Sequence, residues 1–309
     1  MNILFIDSVH PLLKEKLSKL KYNCTTAYKM NKLEIEKIIH NYDGIILRSK
    51  FNIDQKFIDK GKKLKFIARA GSGLENIDVS YAKKKGVKCY NAAEGNKQAV
   101  AEHALAMLLA LFNNLKKCDT EVRQGEWNRE QNRGIELSGK TIGIIGYGNN
   151  GSAFVKLLEG FNVNILTYDK YLIEYPYKSN METIYKKADI LSLHIPLTEE
   201  TKYLVNHKFI NSFKKEFYLI NTSRGKCVNT KNLVSSLKSG KLKGACLDVL
   251  EYESSSFEKL NKREIAHNMQ YLMNCKQTIL SPHVAGWTIE SNVKIAEILF
   301  QKISSDFVS

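Results

Sequence analysis

Six consecutive residues, Gly146-Tyr147-Gly148-Asn149-Asn150-Gly151, have the spacing needed to hold a pyrophosphate on backbone groups. They follow the apolar run Thr141 to Ile145 and lead into the helical stretch Ser152 to Leu158. At such a junction Gly146 permits a tight turn and Gly148 lets the backbone come close to an anion. Gly151 allows helix and strand to pack closely, and Asn149 and Asn150 sit where the helix N-terminus faces the phosphates. Asp169 ends the next strand-like run, 18 positions beyond Gly151. An acidic side chain there accepts hydrogen bonds from an adenosine ribose and repels a 2′-phosphate, so the pattern predicts NAD in preference to NADP. Lys170 beside it pulls the other way, and a carboxylate that only caps a turn is the plainer alternative for Asp169.

Three further segments bring polar and charged residues to the C-terminal ends of later strand-like runs. They are Asn221-Thr222-Ser223-Arg224-Gly225, Leu247-Asp248-Val249-Leu250-Glu251-Tyr252-Glu253 and Ser281-Pro282-His283-Val284-Ala285-Gly286. In open parallel sheets, ligands bind outside those ends. The elements behind them are short β-branched runs alternating with amphipathic helical patterns, the signature of parallel α/β architecture. One group of strands holds Ile3 to Asp7, Gly44 to Arg48, Phe66 to Ala70 and Val87 to Asn91. A second holds Thr141 to Gly146, Asn164 to Asp169, Asp189 to His194, Phe217 to Asn221, Ala245 to Val249 and Thr278 to Ser281, enough for a complete dinucleotide fold. Ala99 to Leu115 reads as a long apolar helix between the groups, followed by a polar, irregular segment from Gly125 to Leu137. Ile289 to Ile303 has helical spacing and no sheet of its own, so it is expected to pack back on the first group. The fold class is therefore α/β with two doubly wound parallel-sheet domains, the first being discontinuous in sequence.

Composition narrows the function classes. With 309 residues and 43% apolar content, two cores can be buried. The N-terminal apolar residues belong to a first strand rather than to a targeting peptide. The apolar run Ala104 to Phe112 is far short of the roughly 20 residues that span a bilayer. Six cysteines (Cys24, Cys89, Cys118, Cys227, Cys246 and Cys275) show no metal-ligand spacing, as expected of reduced thiols in a cytoplasmic protein with no metal site. The net charge of +15 raises nucleic acid as a partner, but seven of the 47 cations are arginines and the lysines are dispersed. Neither nucleic acid nor a membrane is expected; a basic field instead suits an acidic substrate.

Taken together, these motifs resemble the D-isomer-specific 2-hydroxyacid dehydrogenases, and within them the short-form D-3-phosphoglycerate dehydrogenases. The resemblance runs from the first strand to the last helix, with the Arg, Glu and His motifs in the family's order. It implies a Rossmann NAD-binding domain of residues 99–284 inserted in a smaller flavodoxin-like substrate domain of residues 1–98 and 285–309. It also implies that Arg224 holds the substrate carboxylate and polarises the carbonyl, that His283 is the general acid–base and that Glu253 orients it. Those types fit the chemistry. Hydride arriving at C2 leaves a developing alkoxide that must receive a proton, a carboxylate beside an imidazole stabilises its charged form, and a guanidinium fork suits a carboxylate. Glu251 lies two residues from Glu253, and Ser254 stands where the family has proline; Glu253 is chosen by its distance from Asp248. The stretch Ser255 to Asn274 is longer than the family's usual connection, and no role is assigned to it.

By the same resemblance, His194, Pro196, Thr222, Asp248 and Gly286 face the cofactor, His194 as a lining residue rather than a second catalytic histidine, and His103 is a packed or interface residue. The loop Arg69 to Asp78 resembles the family's substrate loop, with Gly71, Ser72 and Gly73 presenting backbone N–H groups to the acid's carboxylate. Arg48 and Arg69 stand where the phosphoglycerate dehydrogenases place cations for a substrate phosphate; structural ion pairs are the plainer alternative. The expected reaction is thus the NAD-dependent oxidation of 3-phospho-D-glycerate to 3-phosphohydroxypyruvate, the entry to serine synthesis. A hydroxypyruvate, glyoxylate or D-lactate type reductase is the alternative, and an NAD-sensing corepressor-like scaffold is the reading from a different class. A homodimer formed through Ala99 to Leu137 is expected, and no serine-sensing domain is expected after Ser309.

Overall fold

The computed structural model describes residues 1–253 and 267–307 and separates into two compact units. Unit 1 comprises Met1–Lys97 and residues 287–307; unit 2 comprises Gln98–Glu253 and residues 267–286. Within the stretch Ser255 to Asn274, residues 255–266 lie outside the described residues, and His267–Asn274 forms a helix.

Unit 1 is built on five parallel strands: β1 (Asn2–Phe5), β2 (Asn23–Thr26), β3 (Gly44–Leu47), β4 (Phe66–Arg69) and β5 (Lys88–Tyr90), in the order β2-β1-β3-β4-β5. This is the flavodoxin-like order. Helices cover both faces, so β3 (Gly-Ile-Ile-Leu) and β4 (Phe-Ile-Ala-Arg) are buried throughout and, apart from the terminal Arg69, read as apolar runs rather than alternating ones. Sequence reading missed β2. Its residues, Asn-Cys-Thr-Thr, are polar and partly exposed because it is an edge strand paired only with β1. The helix Ile289–Phe307 places Ile295, Ala296, Leu299 and Ile303 in the core against Ile3, Phe5 and Phe66.

Unit 2 carries β6 (Thr141–Ile145), β7 (Asn164–Tyr168), β8 (Ile190–Leu193), β9 (Phe217–Asn221), β10 (Leu242–Leu247) and β11 (Thr278–Leu280), all parallel, in the order β11-β10-β9-β8-β6-β7. A one-residue parallel bridge, Thr167 to Lys178, extends the sheet beyond β7. Thr167 donates its N–H to the Tyr177 carbonyl and accepts from Ser179 N–H. Counting that bridge as the third strand in sequence restores the order of a dinucleotide-binding sheet. The strand is vestigial because Pro176 offers no N–H and Tyr177 is left-handed, at φ 58°. The apolar helix Lys97–Phe112 packs on one face of this sheet, with Ala104, Leu108 and Phe112 buried against Ile142, Ile144 and Ile220. It ends earlier than expected, at Phe112, and a second helix, Leu115–Arg123, follows a left-handed Asn114. Among the described residues Asn or Asp caps six helices by accepting from a first-turn N–H: Asn31, Asp54, Asp78, Asn180, Asn206 and Asn229. Among the described residues no helix is long and apolar enough to cross a membrane.

Candidate active site

The glycine-rich turn sits between β6 and the helix Asn149–Leu158. Gly146 has φ 93°, and a Cβ there would lie 2.3 Å from the His194 carbonyl oxygen; one on Gly151 would lie 2.0 Å from the Gly146 carbonyl oxygen. Both positions therefore exclude side chains, the first by conformation and crowding, the second by close approach of helix and turn. Gly148 differs: a Cβ there would meet nothing within 4 Å, so its freedom matters for what approaches from outside. No side chain caps this helix, and the buried Oδ1 of Asn150 has no hydrogen-bond partner. Asn149 is exposed, its carbonyl accepting from Ser152 Oγ at 3.2 Å.

Asp169 follows β7. Its Oδ2 accepts from Tyr147 N–H at 2.8 Å, and its Oδ1 from Tyr171 and Leu172 N–H at 2.9 and 3.2 Å. The carboxylate thus ties the glycine turn to the end of β7 and also caps the following turn. Tyr147 and Tyr175 stack beside it, with ring centroids 5.3 Å apart. Lys170 is ion-paired with Glu200, whose other oxygen accepts from Tyr171 O–H at 2.9 Å. That pair raises the Lys170 pKa and lowers that of Glu200.

The Arg, Glu and His motifs stand at the C-terminal ends of three adjacent strands, β9, β10 and β11. Glu253, not Glu251, meets His283: Oε2 lies 2.7 Å from the imidazole Nδ1, and Oε1 accepts from Leu250 N–H. Glu251 is engaged elsewhere, accepting from Tyr203 O–H and Thr230 N–H, both at 2.9 Å. Ser254 lies outside the described residues. Arg224 is half-buried and donates to the Ser223 carbonyl at 2.7 Å, while its own carbonyl accepts from Asn221 Nδ2. Gly225, which sequence reading passed over, brings this turn onto the loop that carries Glu253. A Cβ there would lie 2.0 Å from the Leu250 carbonyl oxygen.

Asp248 is 1% exposed. It accepts from Ser281 O–H at 2.6 Å and from Val284 and Ala285 N–H at 2.9 Å, and its carbonyl accepts from His283 N–H at 2.8 Å. It therefore staples the loop that bears His283, which takes a left-handed φ of 58°. His194 packs against Phe154, and its Nε2 is 2.9 Å from Ser192 Oγ. Burial drops its pKa to about 4, keeping the ring neutral at physiological pH. Thr222 is 7% exposed, and its buried Oγ1 has no hydrogen-bond partner. Pro196 is exposed, its carbonyl accepting from Thr201 Oγ1, and Gly286 is half-buried at the unit's C-terminal end.

In unit 1, Arg69 is 8% exposed. Its Nε donates to the Arg48 carbonyl at 2.9 Å, its Nη1 to the Gly73 carbonyl at 2.6 Å, and Glu75 lies 3.9 Å away. This guanidinium braces the Gly71–Ser72–Gly73 loop from within. Ser72 Oγ donates to Asn96 Oδ1 at 2.7 Å, and Gly71 N–H donates to the Arg69 carbonyl. Asp7 Oδ2 accepts from the N–H groups of Arg48, Ser49 and Lys50, placing a carboxylate against the loop that bears Arg48. The Arg48 guanidinium lies over the Trp287 ring, 4.7 Å from its centroid.

Residues 105–285 match the family described as D-isomer specific 2-hydroxyacid dehydrogenase, NAD binding domain. The hydroxypyruvate reductase of Thermotoga maritima is 34% identical over 281 residues, covering 90% of this chain and 89% of that protein. The chain belongs to the D-isomer-specific 2-hydroxyacid dehydrogenase family. D-3-phosphoglycerate dehydrogenase of Synechocystis is 33% identical over 280 residues, covering 89% of this chain, and the chain spans about half the length of that relative. The structure of D-lactate dehydrogenase from Aquifex aeolicus, in complex with NAD and lactic acid, superposes with a TM-score of 0.82 at 27% identity over 99% of this chain and 95% of that one. Unit 2 thus carries the family's NAD-binding domain, and its features fit that cofactor. The open space over Gly148 and the uncapped helix suit a pyrophosphate. The unpartnered Asn150 Oδ1 and Thr222 Oγ1 are polar atoms such as a bound ligand satisfies.

Proposed function

We propose that this family member reduces a small, unphosphorylated 2-keto acid of the hydroxypyruvate or glyoxylate kind to its D-2-hydroxy acid, with NADH in preference to NADPH. The single observation that carries the chemistry is the 2.7 Å contact between His283 and Glu253 at the sheet's C-terminal edge. NADH, when bound, supplies the hydride that adds to C2. With Nδ1 committed to Glu253, His283 gives a proton to the developing C2 alkoxide from Nε2, and takes it back in the oxidation. Arg224 holds the substrate carboxylate and draws charge from the carbonyl oxygen. Asp169 accepts from the adenosine ribose, and the Lys170–Glu200 pair leaves little cationic field for a 2′-phosphate.

The burial of Arg69 and the carboxylate of Asp7 against the Arg48 loop favour the unphosphorylated acid. The second reading, oxidation of 3-phospho-D-glycerate, is favoured by Arg48 itself, whose charged plane is held by Trp287. Initial rates of NADH oxidation with hydroxypyruvate, glyoxylate, pyruvate and 3-phosphohydroxypyruvate, for wild type and His283→Ala, test both. Preference for an unphosphorylated acid, lost in the variant, supports the first reading. Strong preference for the phosphorylated acid supports the second, and no turnover with any moves the NAD-sensing scaffold to the front. We also read the chain as a homodimer, since Leu115, Val122, Trp127 and Ile135 leave apolar surface exposed along one segment of unit 2. A monomeric mass by light scattering would overturn that.

A further inference from the structure

His103 lies on the helix Lys97–Phe112, far in sequence from the acid–base motif, yet its Nε2 is 2.9 Å from Ser281 Oγ and 3.5 Å from Asp248 Oδ1. Ser281 Oγ in turn is 2.6 Å from the same carboxylate oxygen. An ionised carboxylate only accepts, so the single hydroxyl proton goes to Asp248, and His103 must donate its Nε2–H to the serine oxygen. Met107 Sδ, 3.6 Å from that hydroxyl, is a weaker competitor for the proton. The chain of contacts continues from the Asp248 carboxylate to the N–H groups of Val284 and Ala285, and from its carbonyl to the N–H of His283. It therefore ends on a residue in a left-handed conformation, which a non-glycine residue keeps only where its surroundings hold it.

We propose that His103 is a positioning residue for His283, acting through Ser281 and Asp248, and this rests on the acid–base role given to His283 above. By donating to Ser281 Oγ, His103 fixes the hydroxyl rotor towards Asp248. The carboxylate then faces a complete set of donors and keeps the loop from Ser281 to Ala285 in one arrangement. Without His103 the hydroxyl can turn, Asp248 loses a fixed donor, and the His283 ring samples orientations away from the substrate oxygen.

The test compares His103→Leu, which keeps bulk, with His103→Gln, whose amide N–H can reach Ser281 Oγ, each alone and combined with Ser281→Ala. The expected result is a kcat about tenfold lower in His103→Leu, equivalent to about 1.4 kcal/mol. KM and NADH affinity stay near wild type, His103→Gln stays within about twofold of wild type, and Ser281→Ala leaves nothing further for His103→Leu to remove. Wild-type kcat in His103→Leu, equal losses in the Leu and Gln variants, or losses at 103 and 281 that multiply would each overturn the proposal. Should His103→Leu fail to fold, Ser281→Ala alone decides, by losing kcat at constant KM or not. With seven histidines in the chain, the imidazole C2–H resonance of His283 can be assigned by His283→Ala. Its broadening in His103→Leu needs no turnover, so it judges His103 even if no 2-keto acid is reduced and the acid–base reading itself falls.

Discussion

His194 ends up at the C-terminal edge of β8 with its ring against Phe154 and its Nε2 on Ser192, and burial drops its pKa from 6.5 to about 4. The unfolded chain binds a proton at this residue below about pH 6.5, while the folded chain resists it until about pH 4. Stability is therefore fully present above the unfolded pKa and is lost as pH falls between the two values. The whole shift is worth about 3.4 kcal/mol, and about 2 kcal/mol is already lost at about pH 5. The residue keeps some accessible surface, which makes these upper figures. The assay is denaturant unfolding of the cofactor-free protein at several pH values, wild type beside His194→Gln, whose amide can still meet Ser192 but does not titrate. Subtracting the two curves removes the other acids and bases. The transition of unit 2 should carry a difference that grows by about 2 kcal/mol from about pH 7.5 to about pH 5. Parallel curves, or an His194 resonance that titrates near its ordinary value, would refute the claim that burial holds this ring neutral.

Three other outcomes follow from the same contacts. Glu253→Gln should lower kcat/KM about 100-fold, near 2.7 kcal/mol, with NADH affinity unchanged; Glu251→Gln should leave kcat within about threefold and instead cost about 1 kcal/mol of stability, because Tyr203 O–H and Thr230 N–H lose their charged acceptor. Equal kinetic losses in the two variants would reverse that assignment. Gly151→Ala puts a methyl 2.0 Å from the Gly146 carbonyl oxygen and should weaken NADH binding more than about tenfold by calorimetry; an unchanged Kd would mean the turn tolerates the shift. Glu200→Gln releases Lys170 and should move the ratio of NADPH to NADH affinity towards NADPH by about two- to fivefold, the modest effect expected of an exposed pair.

Much of the molecule could be read from spacing because the constraints are local. A glycine pattern between strand and helix, apolar runs buried on both faces and an acidic residue ending the next strand are written in consecutive residues, and they place β6, β7 and the turn between them without any long-range information. The polar edge strand β2 and the bridge at Lys178 were illegible because an edge strand takes its hydrogen bonds from one neighbour and need not be apolar. Arg69 shows the opposite limit. Its residue type in a glycine-rich loop leaves anion recognition and a structural ion pair both open, and sequence carries no record of the Arg48 and Gly73 carbonyls to which its guanidinium donates.

The sequence by itself determined the architecture, the dinucleotide turn and the family, since each depends on residue types at short separations. Only the tertiary structure decided which of Glu251 and Glu253 meets His283, that Asp248 anchors the loop behind that histidine, and that His103 reaches the same carboxylate through Ser281. Those are contacts between strand ends and a distant helix, where the partner of a carboxylate is set by which backbone and side-chain donors the packing brings within 3 Å or so, and sequence separation carries no record of that.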